Sequence, residues 1–245
     1  PAEVSLFPGN AALQIVNKTV SGAKHTATVT RPKDGNSLIA SGTVAKEDLL
    51  GPVTVADPGI YFGHVLKTVL ATEGIRVVGK VVREQVRNAD GSIPGNCHIV
   101  AVHKAPLRDA LSRAGKQSLG MMAEGLIKAL GGRQGVGSWT SGRKAIEGYF
   151  SVVGVPADQA VIEDGSGLSR GNRLSPAAST QVLHHIFVGG GGEFELLRDC
   201  LSSAGGEGTL EKRMRGSDTK GRVFAKTGYI KGVCTLAGYA HTASD

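Results

Sequence analysis

The sequence predicts an α+β fold in which helices pack on an antiparallel sheet, with a strand-rich portion ahead of it. Short β-branched runs separated by Gly, Pro, Asn and Asp fill the first half. Amphipathic helical stretches fill the second half, and two strand-like runs around Lys226-Thr227-Gly228 close the chain. Runs of strands followed by runs of helices read as α+β.

The elements follow in order. "ALQIVNKTV", "KHTATVTRP" and "NSLIASGTV" are strands, and alternation is strictest in "HTATVT". "ADPGIYFGHVLKTVLATEGI" is a helix with Asp57 as N-cap and Pro58 as its first residue. Val65, Leu66, Val69 and Leu70 form its apolar stripe, and Gly74 suits its end. "IRVVGKVVRE" and "HIVAVH" return to strand. "PLRDALSRAGK" and "SLGMMAEGLIKALGG" are helices, and Met122, Leu126 and Leu130 recur every fourth residue in the second. "SGRKAIEGYFSVVG" is a helix with Ser141 as its N-cap, and "AVIED" is a short strand. "SPAASTQVLHHIF" and "EFELLRDCL" are helices, and "GRVFAKTGYIKGVCTLAGYAHT" holds the final strand pair. A hairpin after several helices belongs to a sheet with members elsewhere.

Composition narrows the function. The 245 residues are 40% hydrophobic and 20% charged, which is ordinary for a globular chain with a real core. The net charge of +7 suits an anionic partner, but the basic residues are scattered. Aromatics are only 4%, so no stacking platform or basic stripe argues for nucleic acid. No apolar stretch approaches the roughly 18 residues of a transmembrane segment. Cys97, Cys200 and Cys234 show no CxxC spacing, which disfavours a zinc site. One disulfide is open to them in an oxidising compartment, with no pair singled out. His184 and His185 are adjacent on a helix and point to different faces, so they cannot chelate one metal. Trp139 reads as a groove edge or a partly buried anchor.

Three stretches carry chemistry. Lys226-Thr227-Gly228 places a cation, a hydroxyl and a residue without a side chain on one strand. Ser118 lies between two helices, where a serine ordinarily caps the second. "EDGSGLSRGNRLSP" is a polar turn whose Asp164, Ser166, Ser169, Arg170 and Asn172 supply more hydrogen-bonding groups than a connection needs.

"DGSGLSRGNRLSP", "GTLEKRM" and "AKTGYIKGVCTLAGY", in this order, resemble the D-Ala-D-Ala carboxypeptidase/endopeptidase family of low-molecular-mass penicillin-binding proteins. "DPGIYFGHVLKTVLATEGIRVVGKV" and "APLRDALSRAGKQSLGMMAEGLIKALG" extend the resemblance upstream, so that it runs from about Asn36 to Ala240. It implies a serine-type hydrolase that works by acyl transfer on peptidoglycan stem peptides, binds β-lactams and needs no metal or other cofactor. It also implies a periplasmic or other extracytoplasmic location. By the resemblance, residues 1–103 end a strand-rich accessory module. Residues 104–245 form the C-terminal half of a transpeptidase/β-lactamase-like catalytic domain. Lys226 would meet the substrate carboxylate together with Thr227, and Gly228 would let the substrate backbone lie against the strand. The Tyr229 N–H would be one oxyanion donor. Ser118 would relay a proton to the leaving amine, and Asp164, Ser166 and Arg170 would shape the cleft.

Two departures stand out. The family reads Ser-x-Asn where this chain reads Ser118-Leu119-Gly120. The family's Ser-x-x-Lys motif precedes everything matched here, and none of the three matches to that pattern, at Ser21, Ser141 and Ser217, has the right context. The nucleophile is expected on a preceding segment. A sheet without that segment would show an open edge, to be covered by the missing part of the chain or by a second copy in a homo-oligomer. A non-catalytic wall-binding or scaffold protein and a β-lactamase are the rival readings.

Overall fold

The computed structural model describes residues 2–242 apart from 11, 34, 52 and 133–135. The chain divides into two compact units, residues 1–86 and 87–245.

In the first unit, strands β1 (Gln14–Ser21), β2 (Thr28–Thr30) and β3 (Ser37–Val44) form a sheet in the order β1-β3-β2. β1 runs parallel to β3 in the register Gln14↔Ser37 to Ser21↔Val44, and β2 is antiparallel to β3. Leu38 and Ala40 are buried on the central strand. Helix α1 (Pro58–Thr72) begins as its sequence dictates. The Asp57 carboxylate accepts the Gly59 and Ile60 N–H groups, and Pro58 occupies the first turn, where its missing N–H costs nothing. Gly74, at φ +78°, follows the helix end.

The strands expected at 75–84 and 98–103 do not form. Both stretches are irregular and pair with no strand among the described residues, with Val78, Val82, Ile99 and Val100 exposed. β-branched residues favour extended backbone, but a strand also needs a neighbour, and the described residues supply none.

The second unit carries helices α2 (Leu107–Lys116), α3 (Gly120–Gly131), α4 (Trp139–Val153), α5 (Pro176–Val188) and α6 (Glu193–Cys200). It also carries a two-residue pair, β4 (Ala160–Val161) with β5 (Arg173–Leu174), and an antiparallel sheet in the order β6 (Ser202–Ser203), β7 (Val223–Ile230), β8 (Val233–Ala240). The fold is α+β, as the sequence predicts. α4 starts one turn earlier than expected. Ser138, not Ser141, is its N-cap, and Ser141 is the third residue of a reciprocal capping box. Ser175 caps α5 as expected, accepting the Ala178 N–H at 2.9 Å. All three cysteines are free, and Cys200 is buried.

The core of this unit gathers Ile127, Val155, Ala178, Leu201, Ala204, Leu210 and Ala225. An aromatic cluster of Phe187, Phe194 and Tyr239 ties α5 and α6 to β8, and the Tyr239 hydroxyl donates to the Leu183 carbonyl at 2.9 Å. α2 is pinned to α6 by Arg108–Asp199 at 2.8 Å, and its C-terminal residue Lys116 reaches Glu207 at 2.6 Å. These contacts fix the α2–α3 turn over β7.

Candidate active site

The turn between α2 and α3 is short because the Leu119 N–H bonds back to the Arg113 carbonyl at 3.2 Å. To make that turn Ser118 takes a left-handed backbone, φ +54°, which a non-glycine residue seldom adopts and which concentrates at functional sites. The cap of α3 is Leu119, with no side-chain hydrogen bond, so Ser118 does not serve as the helix cap. Its hydroxyl instead accepts a hydrogen bond from Lys226 Nζ at 2.8 Å, across 108 residues of sequence.

β7 supplies the other wall. Lys226 also donates to the Thr227 carbonyl. Burial holds its ammonium below the usual lysine range. Thr227 donates to the Thr209 hydroxyl at 2.8 Å. β6 pairs only with Phe224 and Ala225, so from Lys226 onward β7 has an open edge on that side. Alternate backbone groups of an open edge are free to pair with an extended peptide. Tyr229 lies along this stretch with its side chain 81% exposed. Gly228 has a reason internal to the sheet as well: a Cβ there would sit 2.3 Å from the hydroxyl of cross-strand Thr235.

The 163–172 loop forms the third side. Asp164 is its organiser. One carboxylate oxygen accepts the Gly167 N–H at 2.8 Å and the Asn172 amide at 2.7 Å, and the other accepts the Ser169 N–H at 2.6 Å. Asp164 thus holds the loop together from within. Arg170 reaches across to the Lys231 carbonyl at 3.1 Å and joins the loop to the β7–β8 turn.

A residue that sequence reasoning missed fastens this loop to α3. Glu124 accepts the Ser166 N–H at 2.9 Å, the Gly165 N–H at 3.3 Å and the Trp139 indole N–H at 2.6 Å. Burial pushes its carboxyl up, but the hydrogen bonds from Ser166, Trp139 and Gly165 outweigh that and leave it below the usual range. Trp139, about half exposed, is the anchor of Glu124 and carries Lys128 Nζ 3.5 Å above its ring. The loop lies so close to α3 that a Cβ on Gly165 would fall 2.4 Å from the Ala123 carbonyl. Glu124 follows Ser118 by six residues and lies a little over one turn into α3, and that spacing is the available signal.

A cavity of about 540 Å³ opens beside Ser118, Gly120, Ser166 and Lys226 and continues between apolar residues that include Leu111, Leu119, Ile186 and Leu197. The structure therefore gathers Ser118, Ser166 and Lys226 around one space, whereas Thr227, Gly228, Tyr229, Asp164 and Arg170 do not line it. Gly120 stands where the resembled motif carries asparagine, and it lies close against the loop: a Cβ there would crowd that of Ser166 at 3.2 Å. Ser141 is engaged in the α4 cap, Ser217 bonds Asp218 in a polar loop and Ser21 ends β1.

The chain is similar to known proteins over most of its length. The D-alanyl-D-alanine carboxypeptidase of an Actinomadura species is 31% identical over 256 aligned positions, which cover 98% of this chain and 46% of that protein. The D-alanyl-D-alanine carboxypeptidase DacB of Haemophilus influenzae is 29% identical over 195 positions, covering 77% of this chain and 39% of that protein. The chain thus spans less than half the length of these curated relatives. The crystal structure of penicillin-binding protein 4 (DacB) from Haemophilus influenzae, complexed with a β-lactam, superposes with a TM-score of 0.65 at 25% identity. It covers 95% of this chain and 54% of that one. With residues 3–245 matching its pattern, the chain belongs to the D-Ala-D-Ala carboxypeptidase 3 (S13) family.

Proposed function

We propose that the protein to which this chain belongs is a serine-type D-Ala-D-Ala carboxypeptidase or endopeptidase that acts on peptidoglycan stem peptides outside the cytoplasm and is acylated by β-lactams. The observation that carries this reading is the Lys226–Ser118 hydrogen bond of 2.8 Å on the wall of a cavity. Its ammonium is positioned to attract the free carboxylate of a D-Ala-D-Ala end, and Thr227 adds a neutral hydrogen bond to it. The open edge of β7 receives the peptide backbone, with the Tyr229 N–H as one oxyanion donor. A serine from a Ser-x-x-Lys segment outside these residues attacks the scissile carbonyl. Ser118, held by Lys226, passes a proton to the departing D-alanine amine, and water then releases the acyl-enzyme. The apolar depth of the cavity suits the side chains of such a segment. Residues 104–245 then form the later half of the catalytic domain and residues 1–103 the end of an accessory module.

Gly120 favours a second reading, a non-catalytic wall-binding protein on the same fold, because no carboxamide is present to hold the substrate amide. The two separate on one gel. A fluorescent penicillin added to the product of the complete open reading frame should label it covalently, and the label should fall about ten- to a hundredfold in Lys226→Ala, as for loss of a charge-assisted contact. Absence of any label that survives denaturation would leave the non-catalytic reading standing.

A further inference from the structure

Behind Thr227 lies a row of hydroxyl groups that the proposed reaction does not use. Thr227 Oγ1 meets Thr209 Oγ1 at 2.8 Å, and Thr209 Oγ1 meets Ser202 Oγ at 3.1 Å. Ser202 Oγ in turn reaches the Lys116 carbonyl at 3.3 Å. Ser202 is fully buried, and its oxygen also accepts the Thr209 N–H at 3.0 Å. The row starts on β7, passes through the turn of residues 208–210 and β6, and ends on the last residue of α2, two positions before Ser118.

The direction of the row follows from its protons. A hydroxyl has one proton to donate. A carbonyl can only accept, so the Ser202 proton goes to Lys116. The Ser202–Thr209 bond must then be donated by Thr209, and the Thr227–Thr209 bond by Thr227. Without a ligand, Thr227 therefore turns its proton inward, away from any carboxylate beside Lys226. To donate to an arriving carboxylate, Thr227 must swing its proton outward. Its oxygen then needs a new donor, and Thr209 is already at 2.8 Å.

We propose that Thr209 is a positioning residue whose hydroxyl reverses with Thr227, and that Ser202 is the positioning residue that holds it. Thr209 donates to Ser202 when the cleft is empty and to Thr227 when a carboxylate is bound, and the buried Ser202 holds Thr209 in place for both. The inference rests on the reading of Thr227 as a carboxylate donor. No covalent bond changes; the O–H groups of Thr227 and Thr209 rotate, while Ser202 keeps its proton on the Lys116 carbonyl. A donor that itself accepts a hydrogen bond is strengthened by it, and the β-branched Thr227 side chain is kept in one rotamer.

The test uses the full-length protein and two ligands, a peptide ending in D-Ala-D-Ala with a free carboxylate and the same peptide as its C-terminal primary amide. kcat/KM is measured for both, and the acid-to-amide ratio cancels any loss of folded protein. Thr209→Val should lower the ratio about fivefold, the worth of one neutral hydrogen bond, chiefly through KM. Thr209→Ser should restore it, and Thr209→Val should add nothing in a Thr227→Val background. A Thr209→Val protein that loses equally on both ligands, or keeps the wild-type ratio, overturns the proposal. So does an effect that persists in the double variant. Should Thr209→Val fail to fold, Ser202→Ala reads the same ratio one link back: a lowered ratio supports the row and an unchanged one overturns it. Failure of the wild type to prefer the acid would instead bring down the carboxylate reading itself, and the row with it.

Discussion

An ammonium group that is partly buried beside a serine hydroxyl is held there against its own preference for water. Lys226 has no carboxylate partner among the described residues, and burial lowers its pKa. Below the folded pKa both the folded and the unfolded chain carry the proton, and the fold bears the whole cost of desolvating the charge. As pH rises past the folded value the native Lys226 deprotonates first, and above the unfolded value, about 10.4, the cost is gone. Lys226→Met should therefore raise the thermal midpoint of this chain at pH 7 while abolishing carboxylate recognition. The rise should shrink towards zero at high pH. It should also be small, since water still reaches the side chain. Melting curves of both proteins across that range decide it. A midpoint that falls at pH 7 would mean that Lys226 is held for stability.

At the scale of elements, the site depends on how the 163–172 loop is fastened to α3. Glu124 spends its carboxylate oxygens on two loop N–H groups and the Trp139 indole. Glu124→Gln leaves one accepting oxygen and turns an amide N–H₂ towards donors. It should cost about 1–2 kcal/mol in urea denaturation, and the Trp139 fluorescence should change with the loss of its partner. An unchanged emission and midpoint would show that the loop docks without Glu124. Much of this element layer was legible in the sequence. Asp57-Pro58 and Ser175-Pro176 announced two helix starts, because a cap needs only local side chains, and apolar spacing located α3. Of the residues that the sequence singles out, Ser118, Ser166 and Lys226 line one cavity. The rest depends on partners far along the chain. Ser138 rather than Ser141 caps α4 because the helix extends one turn further back, over Trp139 and Thr140, and the Ser141 N–H becomes the group that the cap accepts. Val77, Val78 and Val82 read as strand, yet no neighbour pairs with them. Glu124 acquires its role only from the loop that it holds, some forty residues later in the chain. The left-handed Ser118 has no local signature at all, since serine does not favour that conformation.

At the scale of the whole chain, the balance of surface to core is unusual. The accessible area is 17073 Å², whereas a compact monomer of this mass would show roughly 10,300 Å². Two separate compact bodies of the lengths of the two units would together show only about 12,300 Å², so the excess lies within the units. Among the described residues ten apolar side chains are buried, two in the first unit and eight in the second, while Val78, Val82, Val100, Val233 and Leu236 stand exposed. β8 ends its sheet with no strand on its outer side, and five of its eight residues in succession, Val233 to Ala237, are exposed. A bare, apolar edge of this kind pairs with whatever strand it meets. Produced alone at about 50 μM, the chain should bind a hydrophobic dye and elute as a concentration-dependent oligomer in size-exclusion chromatography with light scattering. Lengthening it along its own reading frame should lower the dye signal and abolish that dependence, because a covalently attached segment reaches the edge at a far higher effective concentration than a second copy does. A monodisperse, dye-silent monomer from residues 1–245 alone would show that this much polypeptide already satisfies its own sheet edge and core.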